Sequence, residues 1–297
     1  MAGLKEVRIR IASVISTQQI TKAMKMVSAA KLRRAQDAIL RLRPYASKLT
    51  EIMQNVSQSS DVSGGNPFTA VRPANKILIV AIASNRGLCG AFNSNIIRTV
   101  NRMLREQYAQ QNSAGNVKIF CIGKKVSDYF SKNKKLYLDN QNDIYNHLDF
   151  EHASEIAAFL MEEFKKETFD KVVIVYNRFK NAAVQYVTEE TLLPLQPPTE
   201  EGPVGKGKVA KADYIFEPNI EEIVTELIPK TIRTQLYKAI LDSNASEHGA
   251  RMTAMNKATE NAGDMLKELR LSYNKARQAV ITREILEIVG GAEALKG

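Results

Sequence analysis

Residues 18–35 read QQITKAMKMVSAAKLRRA: five basic residues, no acidic one, and neither glycine nor proline. The stretch sits inside a pattern that is apolar on both sides of it. A 3-4 spacing laid down from Leu4 meets Leu4, Val7, Ile11, Val14, Gln18, Thr21, Lys25, Ser28, Leu32, Ala35, Ile39, Leu42, Ala46, Leu49, Met53 and Val56. Twelve of these sixteen positions are apolar and the four exceptions are consecutive. This is the seam of a helix that pairs with another helix, with a polar gap in the middle. In the gap Ile20, Met24 and Val27 fall on a different stripe, which predicts that the local face rotates as helix and heptad periods drift apart. At about 1.5 Å per residue such a helix is roughly 80 Å long, more than a globular domain needs.

The mate lies at the other terminus. From Pro218 to about Gly290 the chain reads as helix, with Pro229 expected to kink or break it. A second 3-4 row runs Leu241, Ala245, His248, Met252, Met255, Thr259, Ala262, Leu266, Leu269, Tyr273, Ala276, Val280, then meets Arg283 and Glu287. Between the two helices lies strand–helix–strand alternation: NKILIVAIAS (75–84), a helix over 94–111, VKIFCIG (117–123), a short helix near 124–132, a helix over 152–169, KVVIVYNRF (171–179) and AVQYVTEETLLPL (183–195). That order predicts a small, largely parallel α/β domain. The fold class is thus α/β: a long antiparallel coiled coil of the terminal helices with an inserted α/β domain. The expected divisions are 1–57 (first coiled-coil helix), 75–195 (α/β domain), 196–218 (flexible connection) and 219–297 (second coiled-coil helix). Residues 58–74 and 196–212, rich in Ser, Gly, Asn or Pro, read as linkers.

The net charge of +10 is uneven. Residues 1–57 hold 11 Lys/Arg against 3 Asp/Glu, whereas 219–297 hold 11 of each. A basic helix implies an acidic partner: nucleic acid, anionic lipid or an acidic protein surface. The nucleic-acid reading lacks interleaved aromatics and a reader module. The lipid reading lacks Trp and Phe anchors on that helix. No apolar run is long enough to span a bilayer. MAGLKEVRIRIASV has no signal-peptide core, and as a transit peptide it would have to run unbroken into the helix.

Catalytic equipment is sparse. SNRGLCGAFN (84–93) follows a strand and opens a helix, but matches no phosphate-loop pattern. His147, His152 and His248 have no ligand spacing, and Cys89 and Cys121 read as small buried hydrophobes in a reducing setting. No metal or cofactor is expected. Three readings remain from these features: a protein-binding coiled coil, a scaffold or tether that binds nucleic acid, and an enzyme using the α/β domain.

The segments MAGLKEVRIRIASV–STQQITKAMKMVSAAKLRRAQ, SNRGLCGAFN and SYNKARQAVITREILEIVGGAEAL resemble the γ subunits of F-type ATP synthases across the whole chain. The family pattern I/V-T-x-E-x-x-D/E-x-x-x-G-A is met by Ile281, Thr282, Glu284, Glu287, Gly291 and Ala292. The resemblance implies a Rossmann-like fold for the inserted α/β domain and a non-catalytic central-stalk rotor of a proton-translocating enzyme. Its partners would be the α and β subunits of the hexamer, the ε subunit and the c-ring, without nucleic acid and without insertion into the bilayer. It implies a rotor–stator contact at Met24, Lys25, Arg251, Gln278, Thr282 and Glu284. It implies a foot contact with ε and the c-ring at Tyr214, Phe216 and Glu217. The absence of a presequence before MAGLKE and of a disulfide-bearing insert implies a bacterial chain on the cytoplasmic face of the inner membrane. The polar gap would then present charge outward, to acidic loops of β.

Overall fold

The computed structural model describes residues 4–59, 67–195 and 220–294. The expected linker at 196–212 and the segment up to Pro218 lie outside the described residues. The chain divides into two compact units, Met1–Ala29 with Arg251–Gly297, and Ala30–Ala250. Two long helices, α1 (Leu4–Ser59) and α6 (Ile220–Ala294), contribute to both.

In the larger unit, β1 (Ile77–Ile82), β2 (Val117–Ile122), β3 (Tyr137–Asn140), β4 (Lys171–Phe179) and β5 (Gln185–Leu193) form one sheet in the order β3-β2-β1-β4-β5. Only the β4–β5 pair is antiparallel. β1, ILIVAI, is buried along its whole length because both faces of the sheet are covered, which is why it reads as a continuous apolar run. On one face Leu78, Val80 and Ile82 pack with α5 (Phe150–Lys165) and with Ile228, Ile232 and Leu236 of α6. On the other, Ile77, Ile79 and Ala81 pack with Ile96, Val100 and Met103 of α2 (Phe92–Arg105) and Val126 of α4 (Lys124–Phe130).

The helix expected over 94–111 ends at Arg105, and a short α3 (Ala109–Ser113) follows. The edge strand β3 had no signal: YLDN is four residues and largely exposed. Pro229 does not break α6, which is a single helix through it. A proline inside a helix costs about 3 kcal/mol. Ile228, Ile232 and Leu236 are fully buried, and each such burial contributes roughly 1.5–3 kcal/mol, so the core holds the helix together.

In the smaller unit α1 and α6 run antiparallel. Arg8 meets Tyr273, Thr21 meets Thr259 and Lys25 meets Asn256. The contacted number on α6 falls as that on α1 rises.

Gly123, between β2 and α4, has φ +110°, and a Cβ there would lie 2.1 Å from the Ala83 carbonyl oxygen. Gly115 has φ +77° with open space around it. Gly115→Ala should therefore cost only the backbone strain, about 1–2 kcal/mol. Gly123→Ala adds a backbone clash and should cost about 3 kcal/mol or more. Urea denaturation of the full chain measures both.

Candidate functional site: a polar helix seam and a bare helix end

An open parallel sheet offers a ligand crevice where the strand order reverses, at the carboxyl ends of the flanking strands. Here that is between β1 and β4. α6 fills it. Ser246 Oγ donates to the Asn177 carbonyl at 2.9 Å, at the end of β4. Gly249 lies so close that a Cβ would be 3.2 Å from Ala182 Cα. At the end of β1, Tyr145 Oη donates to the Ala83 carbonyl at 2.8 Å; its phenol is held protonated by burial first and then by the Glu247 carboxylate. The SNRGLCGAFN turn is knitted to itself. Asn93 Oδ1 accepts from the Ser84 N–H, and Asn93 Nδ2 donates to Cys89 Sγ. Cys89 and Cys121 are buried free thiols, and burial pushes Cys121 up to about 12. Among the described residues no group of His, Cys, Asp and Glu could hold a metal.

The segment of α6 beside the sheet is buried on nearly every side, although it reads AILDSNASEHG (239–249). Its polar content is the signal that sequence patterning missed. Asp242 is 8% exposed. Burial pushes its carboxyl up to about 6, against the pull of Lys238, Arg43 and Arg178; Glu190 adds a further push.

The seam of the smaller unit corrects the sequence reading. The face does not rotate. Gln18, Thr21, Lys25 and Ser28 stay on the buried side; of the stripe expected in their place, Ile20 and Val27 are more than half exposed and Met24 is half-buried. Ser28 Oγ donates to the Met24 carbonyl of its own helix, while Gln18, Thr21 and Lys25 remain inside with partners on α6 that sequence periodicity cannot reveal. Thr259 Oγ1 donates to Thr21 Oγ1 at 2.8 Å, Gln18 Nε2 reaches the Thr259 carbonyl, and Lys25 Nζ donates to Asn256 Oδ1. Asn256 in turn donates to Glu260. A side chain of any size at Gly263 would meet Gln18.

α1 begins at Leu4, close to the level of Tyr273. α6 continues to Ala294, and every described side chain from Arg277 onward is exposed. Ile281, Ile285, Leu286, Ile288 and Val289 are 45–71% exposed on this end. Ile281, Ile285, Ile288 and Val289 share one face at i, i+4, i+7, i+8 spacing, with Leu286 beside it.

The expected site residues fall into two groups. Met24 and Lys25 are half-buried and Arg251 is buried. Gln278, Thr282 and Glu284 are exposed, with Thr282 Oγ1 donating to the Gln278 carbonyl. Gln278 is about 33 Å along α6 from Asn256, the partner of Lys25. Tyr214, Phe216 and Glu217 lie outside the described residues.

A family model described as ATP synthase matches residues 3–295. The ATP synthase gamma chain of Flavobacterium psychrophilum is 55% identical over the full length of both chains, and that of Flavobacterium johnsoniae is 56% identical, again over the full length of both. The chain belongs to the ATP synthase gamma-chain family. Among solved structures, a chain of the Euglena gracilis mitochondrial ATP synthase OSCP/F1/c-ring assembly is 25% identical with a TM-score of 0.70, covering 98% of this chain and 94% of that one. This gamma-chain family member therefore keeps the α/β sheet of ligand-binding proteins while its own helix fills the crevice.

Two outcomes follow. Thr21→Val removes one of two partners of the Thr259 hydroxyl, which keeps the Met255 carbonyl at 2.7 Å, and should cost about 1 kcal/mol or less; a double-mutant cycle of Thr21→Val with Thr259→Val in urea reads the coupling. For Asp242, the folded pKa lies above the ordinary carboxylate value, so stability falls as pH rises from about 4 to about 6 and is level above that. Asp242→Asn should stabilise the chain at pH 8 by roughly 2 kcal/mol, and by much less at pH 4, in thermal melts at the two pH values.

Proposed function

We propose that this chain is the central-stalk rotor of an F-type ATP synthase. The bare end of α6 carries the reading. A single helix with an apolar face that no described residue covers buries nothing in water and draws no stability from a mate. It needs a sleeve, and a hexamer of alternating α and β subunits supplies one. The gamma-chain relatives support this assignment, as does the likeness to a chain of an F1/c-ring assembly. The chain itself makes and breaks no bonds; the catalytic sites are on β.

The mechanism is a population shift. Each orientation of an asymmetric helix pair favours a different conformation at each of three β subunits, so turning the pair cycles them. Gln278, Thr282 and Glu284 are exposed and would touch the sleeve directly. Met24, Lys25 and Arg251 are better suited to positioning, since they lie partly or wholly within the helix pair. The outward face of that pair is Ile20, Met26 and Val27, with Lys22, Lys31, Arg33 and Arg34 exposed nearby on the same helix. Tyr214, Phe216 and Glu217 would face ε and the c-ring. No helix among the described residues is long and apolar enough to cross a membrane. The chain would therefore reach the cytoplasmic face of the bacterial inner membrane through its partners.

Hydrogen exchange tests the reading. Amides of 280–294 should exchange fast in the isolated chain and be strongly protected once it assembles with α and β; equal exchange in both would reject the sleeve. Replacing Lys31, Arg33 and Arg34 together with Gln should weaken assembly more than any single change, since exposed pairs contribute only about 0.2–1 kcal/mol each. The deficit should shrink at high salt, where the Debye length falls from about 10 Å to about 3 Å. Reconstitution with α and β at two salt concentrations measures it.

A further inference from the structure

Residues 118–135 hold six lysines against one acidic residue, Asp128. That local excess of five is hidden by acidic residues elsewhere in the α/β region. Four of the lysines gather at one corner of the sheet. Lys132, Lys134 and Lys135 lie on the exposed turn between α4 and β3, and Lys118, on β2, donates from Nζ to the Lys135 carbonyl at 2.7 Å. None of the four is in an ion pair with a described residue. Lys48, Lys166, Lys230 and Lys267, by contrast, each have a carboxylate within 4 Å. Like charges held together without counter-charges repel, so the corner costs stability unless something anionic meets it.

The corner's position narrows what that is. It lies at the amino end of the parallel strands, where β2 and β3 begin. α6 passes the sheet from that end to the other. Gln235 sits beside the Thr191 carbonyl, whose residue pairs with Val173 near the start of β4, whereas Ser246 sits on Asn177 near its finish. The lysines are thus level with the early part of α6. As a rotor on a ring held in the membrane, the reading proposed above, the chain works beside a bilayer surface.

The chemistry points the same way. Arginine would suit a fixed, bidentate carboxylate partner; all four groups are lysines, compact charges on flexible stems that suit a diffuse anionic surface. Lysines held close to an anionic bilayer surface are attracted to it, the field falling off within a Debye length. The next strand adds a partly exposed Leu138. A non-stereospecific attraction also permits the corner to sweep across the surface as the rotor turns. We propose that Lys118, Lys132, Lys134 and Lys135 form a docking patch for anionic phospholipid headgroups. This inference rests on the rotor reading for the nearness of a bilayer, though not for the binding itself.

The test is co-sedimentation of the full chain with vesicles of phosphatidylcholine alone or mixed with phosphatidylglycerol, at about 0.1 M and about 1 M salt. Wild type should bind only the mixed vesicles, and only at low salt. The variant with all four lysines changed to Gln should lose at least about tenfold in affinity. The Lys31→Gln, Arg33→Gln, Arg34→Gln chain, neutralised on α1 instead, should retain most of it. Equal binding by the four-lysine variant overturns the proposal, as does loss confined to the α1 variant. Failure of wild type to bind overturns it too, and loss of ε or ring capture by the four-lysine variant would then assign the corner to an acidic protein. Should the four-lysine variant melt early, Lys132→Gln with Lys134→Gln, both on the exposed turn, replaces it. Assembly with α and β is measured separately: binding to lipid without assembly rejects the rotor reading alone, and assembly without lipid binding rejects this inference alone.

Discussion

The structure depends on one shared seam. Helices of 56 and 75 residues have too little apolar surface of their own to be stable in water, so each must lend the other a face. Over residues 4–29 and 251–276 that face is apolar at the α1 terminus and polar further in. The polar part holds because its groups answer one another: hydroxyl to hydroxyl at Thr21 and Thr259, ammonium to amide at Lys25 and Asn256. Such pairs add little net stability compared with apolar ones, but a slipped register would leave them buried and unpaired. The seam therefore fixes which residues lie opposite each other, and with them how far α6 projects past Leu4.

The projection and the filled crevice are two sides of one division of labour. In the larger unit, α6 lays Ser246 and Gly249 against the end of β4, where an α/β sheet would otherwise receive a ligand. In the smaller unit it keeps its apolar terminus uncovered. A helix that fills the crevice of its own sheet and leaves an apolar end uncovered presents a surface suited to other proteins.

Much of this was legible in the sequence, and unevenly. From Leu4 to Met53, every member of the 3-4 row is buried or half-buried. β1 and β4 were plain from their β-branched runs, and SNRGLCGAFN was rightly placed between strand and helix. The rotation of the face at 18–28 was misread because periodicity assigns apolar residues inward by default. The partners that keep Thr21 and Lys25 inside are more than 230 positions away. Pro229 was given its local propensity, and the core around Ile228 and Ile232 overrode it. β3 was too short to carry a pattern, and Asp242 drew no notice because its cost lies in a burial that only the packed sheet creates. The rotor–stator positions came from family resemblance, since exposure of Gln278, Thr282 and Glu284 is a property of helix ends, not of residue type.

Direct observation of turning decides the central claim. Cys89 and Cys121 are buried, so a cysteine introduced at exposed Tyr129 would be the preferred site for attaching a visible rod. With the α and β hexamer fixed to a surface and ATP supplied, the account predicts rotation of the rod in one direction, in steps of a third of a turn. ATP hydrolysis that persists while the rod on an assembled complex stays still, or wanders in both directions, would contradict it.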